Sequence, residues 1–508
     1  NSESSTLMIS IDDEWINYNQ NIVLYAGNNL HNYNISLGQL SEGNHSIELK
    51  FDYDKSSTGA EEIYIESIDI IDVQNIDIDT DVFLYSPILY GRDLLQWNES
   101  THTDIPLIMW HELSMVGNNK TIKYSIIFSN EDSRIGVGLS ELMYNYGRTT
   151  DIEWLYEVTI NSNGDIISEI YQGPSHISTT FEGDKYGLHP ILKNGTLNCN
   201  FVDDGISEYK FFLSPVLTVE NGQTRETLMD ENPWTYRIMG EELLRENRYE
   251  EVANPETVEM SDVRNYIFLE YDGTYTENSI ITNHELDLVI KFHSGCNMYY
   301  HDHNYFDFEE DYFGGRKRTS IELFENFNPE DIQGLGFITN DNNLGNIEII
   351  DIVKLFYLDE DYQLNEINID FNPFLINYDQ NNFWIDINEN LLNLDCFGFP
   401  EGFAECDQCD VCDGNNIDVD DCGICFGNNQ ELDCNGDCFG NSVIDECGIC
   451  NGNNTTCSGC TDINADNYNY DAVFYDGSCV YSDNIFLVPD EYFSIQDAIY
   501  YSNDGDTV

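Results

Sequence analysis

Basic residues are scarce: 20 Lys and Arg stand against 94 Asp and Glu, a formal net charge of −74 over 508 residues. A chain this acidic repels polyphosphates and anionic headgroups, so neither nucleic acid nor an anionic membrane surface is an expected partner. No run of eighteen apolar residues occurs, and no membrane span is expected. Also missing are a G-x-S-x-G elbow, an HExxH pair, a phosphate-binding lysine loop and a G-x-G-x-x-G turn. Their absence removes the commonest hydrolase, metalloprotease, NTPase and dinucleotide-binding signatures. The chain opens at Asn1 with neither methionine nor signal peptide, and reads as a mature form or a fragment. Strong acidity usually means disorder, but 41% hydrophobic and 13% aromatic residues contradict that here. A folded protein with a carboxylate-covered surface fits better, suited to salty water where the Debye length falls to roughly 4 Å.

Cysteine, by contrast, is abundant and concentrated. Thirteen of the fifteen cysteines fall between Cys396 and Cys479. The pairs Cys409/Cys412, Cys422/Cys425, Cys434/Cys438 and Cys447/Cys450 recur every 12 or 13 residues, with almost no apolar side chains between them. No hydrophobic core can hold such a segment, so cross-links or metal must. Repeated CxxC pairs also build zinc ribbons. The intervals, however, are filled with Asp, Asn and Gly: Asp410, Asp413, Asn415, Asn416, Asp418, Asp420 and Asp421, then Asp433, Asn435 and Asp437. Hard oxygen ligands among glycine turns suit structural Ca²⁺ better than zinc. Disulfides alone, with solvated acidic loops, are the competing reading. Thirteen is odd, so one cysteine pairs outside the segment or stays free. The clustering places the protein in an oxidising, extracellular compartment, secreted or surface-attached.

The units DDCGICFGNN and DECGICNGNN resemble the DECGVCGGD-type repeats of secreted bacterial multidomain proteins, and more distantly thrombospondin type 3 calcium repeats. GCTDINADNYNYDAVFYDGSC, from Gly459 to Cys479, resembles a small module of the same proteins; that resemblance implies a Cys460–Cys479 disulfide. The unit Cys434-Asn-Gly-Asp-Cys438 departs from the pattern by one extra residue.

The expected fold class is mainly β. Antiparallel β-sandwich modules are followed by a disulfide-rich connector of low secondary structure and a truncated β-helix cap. Residues 1–78 alternate as short strands, and LSEGNHSIELKFDYD followed by IYIESIDIIDV resembles the closing strands of bacterial jelly-roll sandwiches, which often bind carbohydrate. Residues 79–220 read as a β-rich module, and 221–365 as a helix plus a second one. Asn232-Pro233 opens that helix, with Trp234, Ile238, Met239 and Leu243 on one face. A linker (366–395), the repeats (396–458) and the small module (459–482) come next. Residues 483–508 resemble the first coil of a right-handed parallel β-helix, through Val488, Pro489, Tyr492, Ile495, Gln496, Ala498, Ile499, Gly505, Asp506, Thr507 and Val508. Ser494 is the expected helix N-cap there, with Ile495, Ala498 and Ile499 covering a solenoid that continues beyond the sequence.

Few residues suggest chemistry. Asp151 and Glu153, at i and i+2 beside Arg148, are a carboxylate pair of the kind used in acid/base or glycosidase work, set against the many such pairs that 94 acidic residues create by chance. His301 and His303 form HxH with His293 upstream and Asp302 and Asp307 nearby, without a recognisable third ligand. Cys199 and Cys296 stand apart from the cluster, and oxidising conditions favour a bridge between them. No residue is assigned a catalytic role. The expected function is extracellular binding or adhesion towards a polysaccharide or cell-surface glycan. The alternatives are the non-catalytic part of a polysaccharide lyase or hydrolase, and a purely structural spacer.

Overall fold

The computed structural model describes residues 4–508 except 13–18, 26–29, 58–61, 93–103, 132–137, 197–198, 221, 251–258, 276–285, 293–297, 301–314, 324–326, 340–346, 369–372, 378–381, 388–403, 405, 410, 483–487, 489–492, 504–505 and 507–508. The protein is mainly β, with several antiparallel sheets and a disulfide-rich C-terminal region. It divides into a β-rich body reaching Leu392 and a second unit, Asn393–Val508.

In the β-rich body, β1 (Ser4–Ile11) lies between β2 (Gln20–Tyr25) and β3 (Ile47–Asp52), antiparallel to both. Period-two alternation along β2 sends Ile22 to a small cluster with Leu7 and Ile9, and Val23 and Tyr25 to the main core. That main core also takes Ile105, Leu107, Ile127, Ile152, Tyr209 and Phe211, then Leu228, Ile238, Met239, Leu243, Phe268 and Phe356. It therefore draws on all three segments expected as separate modules. The expected closing strand near Ile63–Val73 is absent: these residues pair with no sheet, and Tyr64, Ile65, Ile68, Ile70 and Ile71 are exposed. Their β-branched pattern supplies strand propensity, but propensity without a packing surface does not make a strand.

A short helix, α1 (Asp81–Leu84), and strand β4 (Ile88–Tyr90) lead into a five-stranded antiparallel meander. Its members are β5 (Pro106–Val116), β6 (Asn119–Phe128), β7 (Ile152–Ile160), β8 (Ile166–Gly173) and β9 (Ile177–Thr180). Along β6, Ile122, Tyr124, Ile126 and Phe128 enter a second core with Tyr156, Val158, Leu192 and Phe201, while Ile127 turns to the main core. The helix α2 (Leu139–Tyr146) fills the β6–β7 connection. A mixed sheet follows: β10 (Lys185–Tyr186), β11 (His189–Asn194), β12 (Phe201–Val202) and β13 (Lys210–Phe211), with β11 parallel to β4.

Helix α3 (Thr227–Glu231) precedes α4 (Trp234–Arg245), which starts after Pro233 and buries Ile238, Met239 and Leu243 as the spacing predicts. Trp234 is only partly buried, and its ring stacks on His31 at 4.4 Å. Two further antiparallel sheets close the body. One holds β14 (Tyr266–Tyr275), β17 (Gly315–Glu322), β19 (Ile347–Leu358), β20 (Leu364–Glu366) and β21 (Phe374–Asn377). The other holds β15 (Leu286–Phe292), β16 (Met298–Tyr300), β18 (Ile332–Thr339) and β22 (Asn382–Asp386). Ile267, Leu269, Ile321 and Leu355 from the first meet Ile290, Leu335 and Ile385 from the second in a shared core.

The second unit has almost no core. Among its described residues as far as Ser482, only Cys409, Cys460 and Ala465 are buried hydrophobic residues. Cross-links replace packing: Cys409–Cys425, Cys422–Cys438 and Cys434–Cys450 each span 16 residues, and Cys447–Cys457 and Cys460–Cys479 follow. The three 16-residue bridges join neighbouring repeats, and none of the bridges named here joins the two cysteines of one CxxC pair. Strands β23 (Ser458–Gly459) and β24 (Phe474–Tyr475) form a minimal parallel pair. Helix α5 (Ile495–Tyr501) is capped by Ser494, which accepts from the Asp497 amide; Ala498 is buried, whereas Ile495 and Ile499 are exposed.

Candidate functional site

The β6–β7 ladder continues past its strands. Phe128 N donates to Asp151 O at 2.8 Å, and Glu131 N to Thr149 O at 2.7 Å. This pairing carries Glu131 to the start of β7, where Asp151 and Glu153 are 5% and 8% exposed. On the other side of β7, Gln172 at the end of β8 donates Nε2 to Glu153. The chain then turns through Pro174–His176, with Ser175 and His176 both at positive φ (62° and 58°). That turn sets His176 Nδ1 2.6 Å from Gln172 Nε2 and 3.3 Å from Glu153 Oε1. Three carboxyls, a buried carboxamide and a half-exposed imidazole thus converge at one end of the meander.

Burial pushes the Asp151 carboxyl well up, and Glu153 and Glu131 push it further; Arg148 opposes them. Glu153 is raised by burial against the opposing pull of Gln172 and His176, and Glu131 by burial against Arg148. Arg148 cannot serve all three. Its Nε donates to Glu226 at 2.8 Å and its Nη1 to the Thr150 carbonyl. Burial would raise Glu226 too, but Arg148 and Arg318 outweigh it and hold that carboxyl down. Buried polar atoms without a hydrogen-bond partner in this region include Asp151 Oδ2, Gln172 Oε1, Asn130 Nδ2 and Asn200 Nδ2. Such a cluster can store protons, and it can accept hydrogen bonds from a cationic donor.

Of these groups, the sequence points only to Asp151 and Glu153, beside Arg148. Glu131, Gln172 and His176 come from adjacent strands, and only the strand pairing brings them in. Pairing residues 120–130 with 149–160 in register would have placed Glu131 opposite Thr149.

Cys199 corrects an expectation. It is a buried free thiol, so the bridge expected to Cys296, itself outside the described residues, is not formed. The side chain lies in the second core, hydrogen-bonded with Asn194 and Asp151. Burial pushes the thiol well up, with Asp104 and Asp151 adding to it, so it stays protonated and unreactive. His293, His301 and His303 also lie outside the described residues, as do Asp302 and Asp307. Buried His111 meets the Pro215 carbonyl at 2.7 Å and His189 the Ser86 carbonyl at 2.9 Å; burial lowers both, so they act as neutral packing groups.

The repeats use their acidic residues locally. Asp420 Oδ1 accepts from Cys422 N and Ile424 N, and its Oδ2 from Asn429 N, at 2.9 Å each. Asp407, Asp433 and Asp445 do the same in their own units. Asp413 and Asn415 occupy left-handed turn positions (φ 54° and 55°), and Asn415 Nδ2 donates to Asp413 O at 3.0 Å. Asp418 O receives Phe426 N, Asp421 Oδ2 receives Asn429 Nδ2, Asn435 Nδ2 donates to Ser442, and Asp437 N donates to Asp433. Asp410 is outside the described residues. Among the described residues no group of three or more His, Cys, Asp or Glu is placed to hold a metal ion. The Asp407, Asp420, Asp433 and Asp445 carboxylates are turned onto their own loop amides, an arrangement distinct from the six to eight convergent oxygens of a Ca²⁺ shell. The disulfide-bonded cysteines offer no thiolate to zinc.

Compared with known proteins, the chain matches no family model, no curated protein and no solved structure.

Proposed function

We propose that this chain belongs to an extracellular binding protein in which the β-rich body carries a glycan-directed surface and the disulfide-laddered segment serves as a spacer. The observation that carries this reading is the ladder itself. Bridges that overlap from one repeat to the next are kept only where thiols are oxidised. They also hold a segment with almost no core among its described residues. Each closed loop of about 16 residues constrains the unfolded chain by about 3 kcal/mol in the chain-entropy model, less where loops overlap. Such a segment keeps its own fold and presents what it is joined to.

The test is affinity electrophoresis of the whole chain through gels containing neutral, acidic and amine-bearing polysaccharides. Retardation without release of reducing sugar supports binding. Turnover of any of them replaces binding with catalysis, and free migration in every gel removes the glycan.

A further inference from the structure

Glu131, Asp151 and Glu153 are grouped with too little positive charge for their number. Arg148 is taken by Glu226 and the Thr150 carbonyl, and Arg225 Nη1 by the Ile152 carbonyl at 2.9 Å. Glu141 adds negative charge beside Glu131. His176, whose side chain is 53% exposed, lies 3.3 Å from Glu153 Oε1. A second, independent observation points the same way. Gln172 is 2% exposed and its amide nitrogen is fixed on Glu153, yet its Oε1 has no partner, and neither has Asp151 Oδ2. Buried acceptors without donors cost free energy until something supplies the donors.

We infer that the Glu131–Asp151–Glu153 cluster, entered past His176, binds a sugar that carries a free ammonium group. This inference rests on the glycan-binding reading and names the class of glycan. An ammonium brings the missing charge and three donors, and the sugar hydroxyls can accept from Asn130 Nδ2 and Asn200 Nδ2, which are also without partners. A bare metal ion is a poorer occupant, because no three candidate ligands among the described residues are placed to hold one. At long range, a net charge of −74 concentrates cationic ligands around the protein.

Binding is linked to protons. The ammonium stabilises ionised carboxylates, so protons leave Glu131 and Glu153 as it binds. His176, Arg148 and Arg225 also face these carboxyls, and the Cys199 thiol beside Asp151, pushed up by burial, stays neutral. Affinity therefore increases as pH rises through the raised range of the two glutamates.

The experiment is isothermal titration calorimetry of the whole chain with a fully deacetylated chitooligosaccharide and its N-acetylated counterpart, in buffers of different ionisation enthalpy. The expected result is binding of the deacetylated form with proton release, weakened about tenfold or more by Glu153→Gln. Should that variant fail to fold, Glu131→Gln carries the same expectation. Equal binding of both oligosaccharides, indifferent to these substitutions, overturns the ammonium site and leaves the glycan reading standing. If neither oligosaccharide nor any neutral polysaccharide binds, both fall.

Discussion

The carboxylate of Asp420 lies over the α-carbon of Gly427, so close that a methyl group there would collide with Oδ2. Asp420 cannot swing aside without releasing the amides of Cys422, Ile424 and Asn429. Gly414, Gly440 and Gly452 stand in the same relation to Asp407, Asp433 and Asp445. Gly427→Ala should therefore loosen its repeat by roughly 1–3 kcal/mol, the usual range for overpacking a tight site. Hydrogen exchange at Cys422, Ile424 and Asn429 is the readout, and unchanged protection would dissociate the glycine from the aspartate.

Calcium should matter little to the repeats. The β-rich body and the second unit should keep their melting temperatures when EGTA replaces millimolar Ca²⁺. Stoichiometric uptake with a raised transition for the second unit would overturn this expectation and show Ca²⁺ held by the repeats.

Acid should undo the repeats and spare the body. Asp407, Asp420 and Asp445 are held below the ordinary carboxylate range, and Asp433 down to about 2, by amide hydrogen bonds that outweigh burial. A depressed carboxyl contributes stability above its unfolded pKa, near 4, and loses it as pH falls towards the folded value. Proteolytic sensitivity of the repeats should rise between about pH 4 and pH 2. Four carboxyls of the body carry the opposite sign. Glu242 is pushed up to about 7 by burial, reinforced by Glu246, and Asp151, Glu153 and Glu131 are raised as well. Each favours the protonated fold, so the body should lose stability as pH rises from about 4.5 to about 7. Glu242→Gln should flatten part of that slope, and a slope identical to wild type would argue against its buried state.

Arg318 is the most deeply committed cation of the body. It donates to Asp230 and to Glu270 Oε2 at 2.8 Å, bonds Tyr236 at 2.9 Å, and lies over the Phe356 ring. Arg318→Met leaves buried Asp230 and Glu270 with only the more exposed Lys354 and Arg316 as counter-charges and should cost up to about 3–5 kcal/mol. Thermal unfolding measures this; a loss below about 1 kcal/mol would mean Lys354, already 3.1 Å from Asp230, takes over.

Peptide mapping without reductant should recover Cys409–Cys425, Cys422–Cys438 and Cys434–Cys450, not bridges within a CxxC pair. Cys199 should resist alkylation until the body unfolds. Early labelling of Cys199 would be incompatible with its burial.

Local pattern carried much of this fold. Alternation in KTIKYSIIF and IEWLYEVTI marks β6 and β7, and the 3-to-5-residue spacing after Pro233 marks the buried face of α4. The pairing of Cys460 with Cys479 came from a resemblance, and the structure contains that bridge. Less legible was anything decided by partners distant in sequence. The alternation of Ile63–Val73 is as strand-like as that of β1, yet no neighbouring strand receives it. Hard oxygens between glycines suit both a metal shell and a loop clasp, and only the fold reveals that Asp420 and Asp433 accept from the amides two, four and nine residues later. Glu131, Gln172 and His176 are unremarkable individually, and strand register alone gathers them at Glu153.

The ladder also decides what a single cut can do. From Cys409 to Cys457 the spans of successive bridges overlap, so hydrolysis of any one peptide bond there leaves its two ends tied by at least one disulfide. Between the Cys447–Cys457 and Cys460–Cys479 bridges, the uncovered stretch is just Ser458 and Gly459. In a milieu rich in proteases, a nicked repeat would stay attached, and parting the two flanks would need three cuts in separate inter-cysteine intervals, such as 412–422, 422–425 and 425–434, or a hit at that two-residue seam.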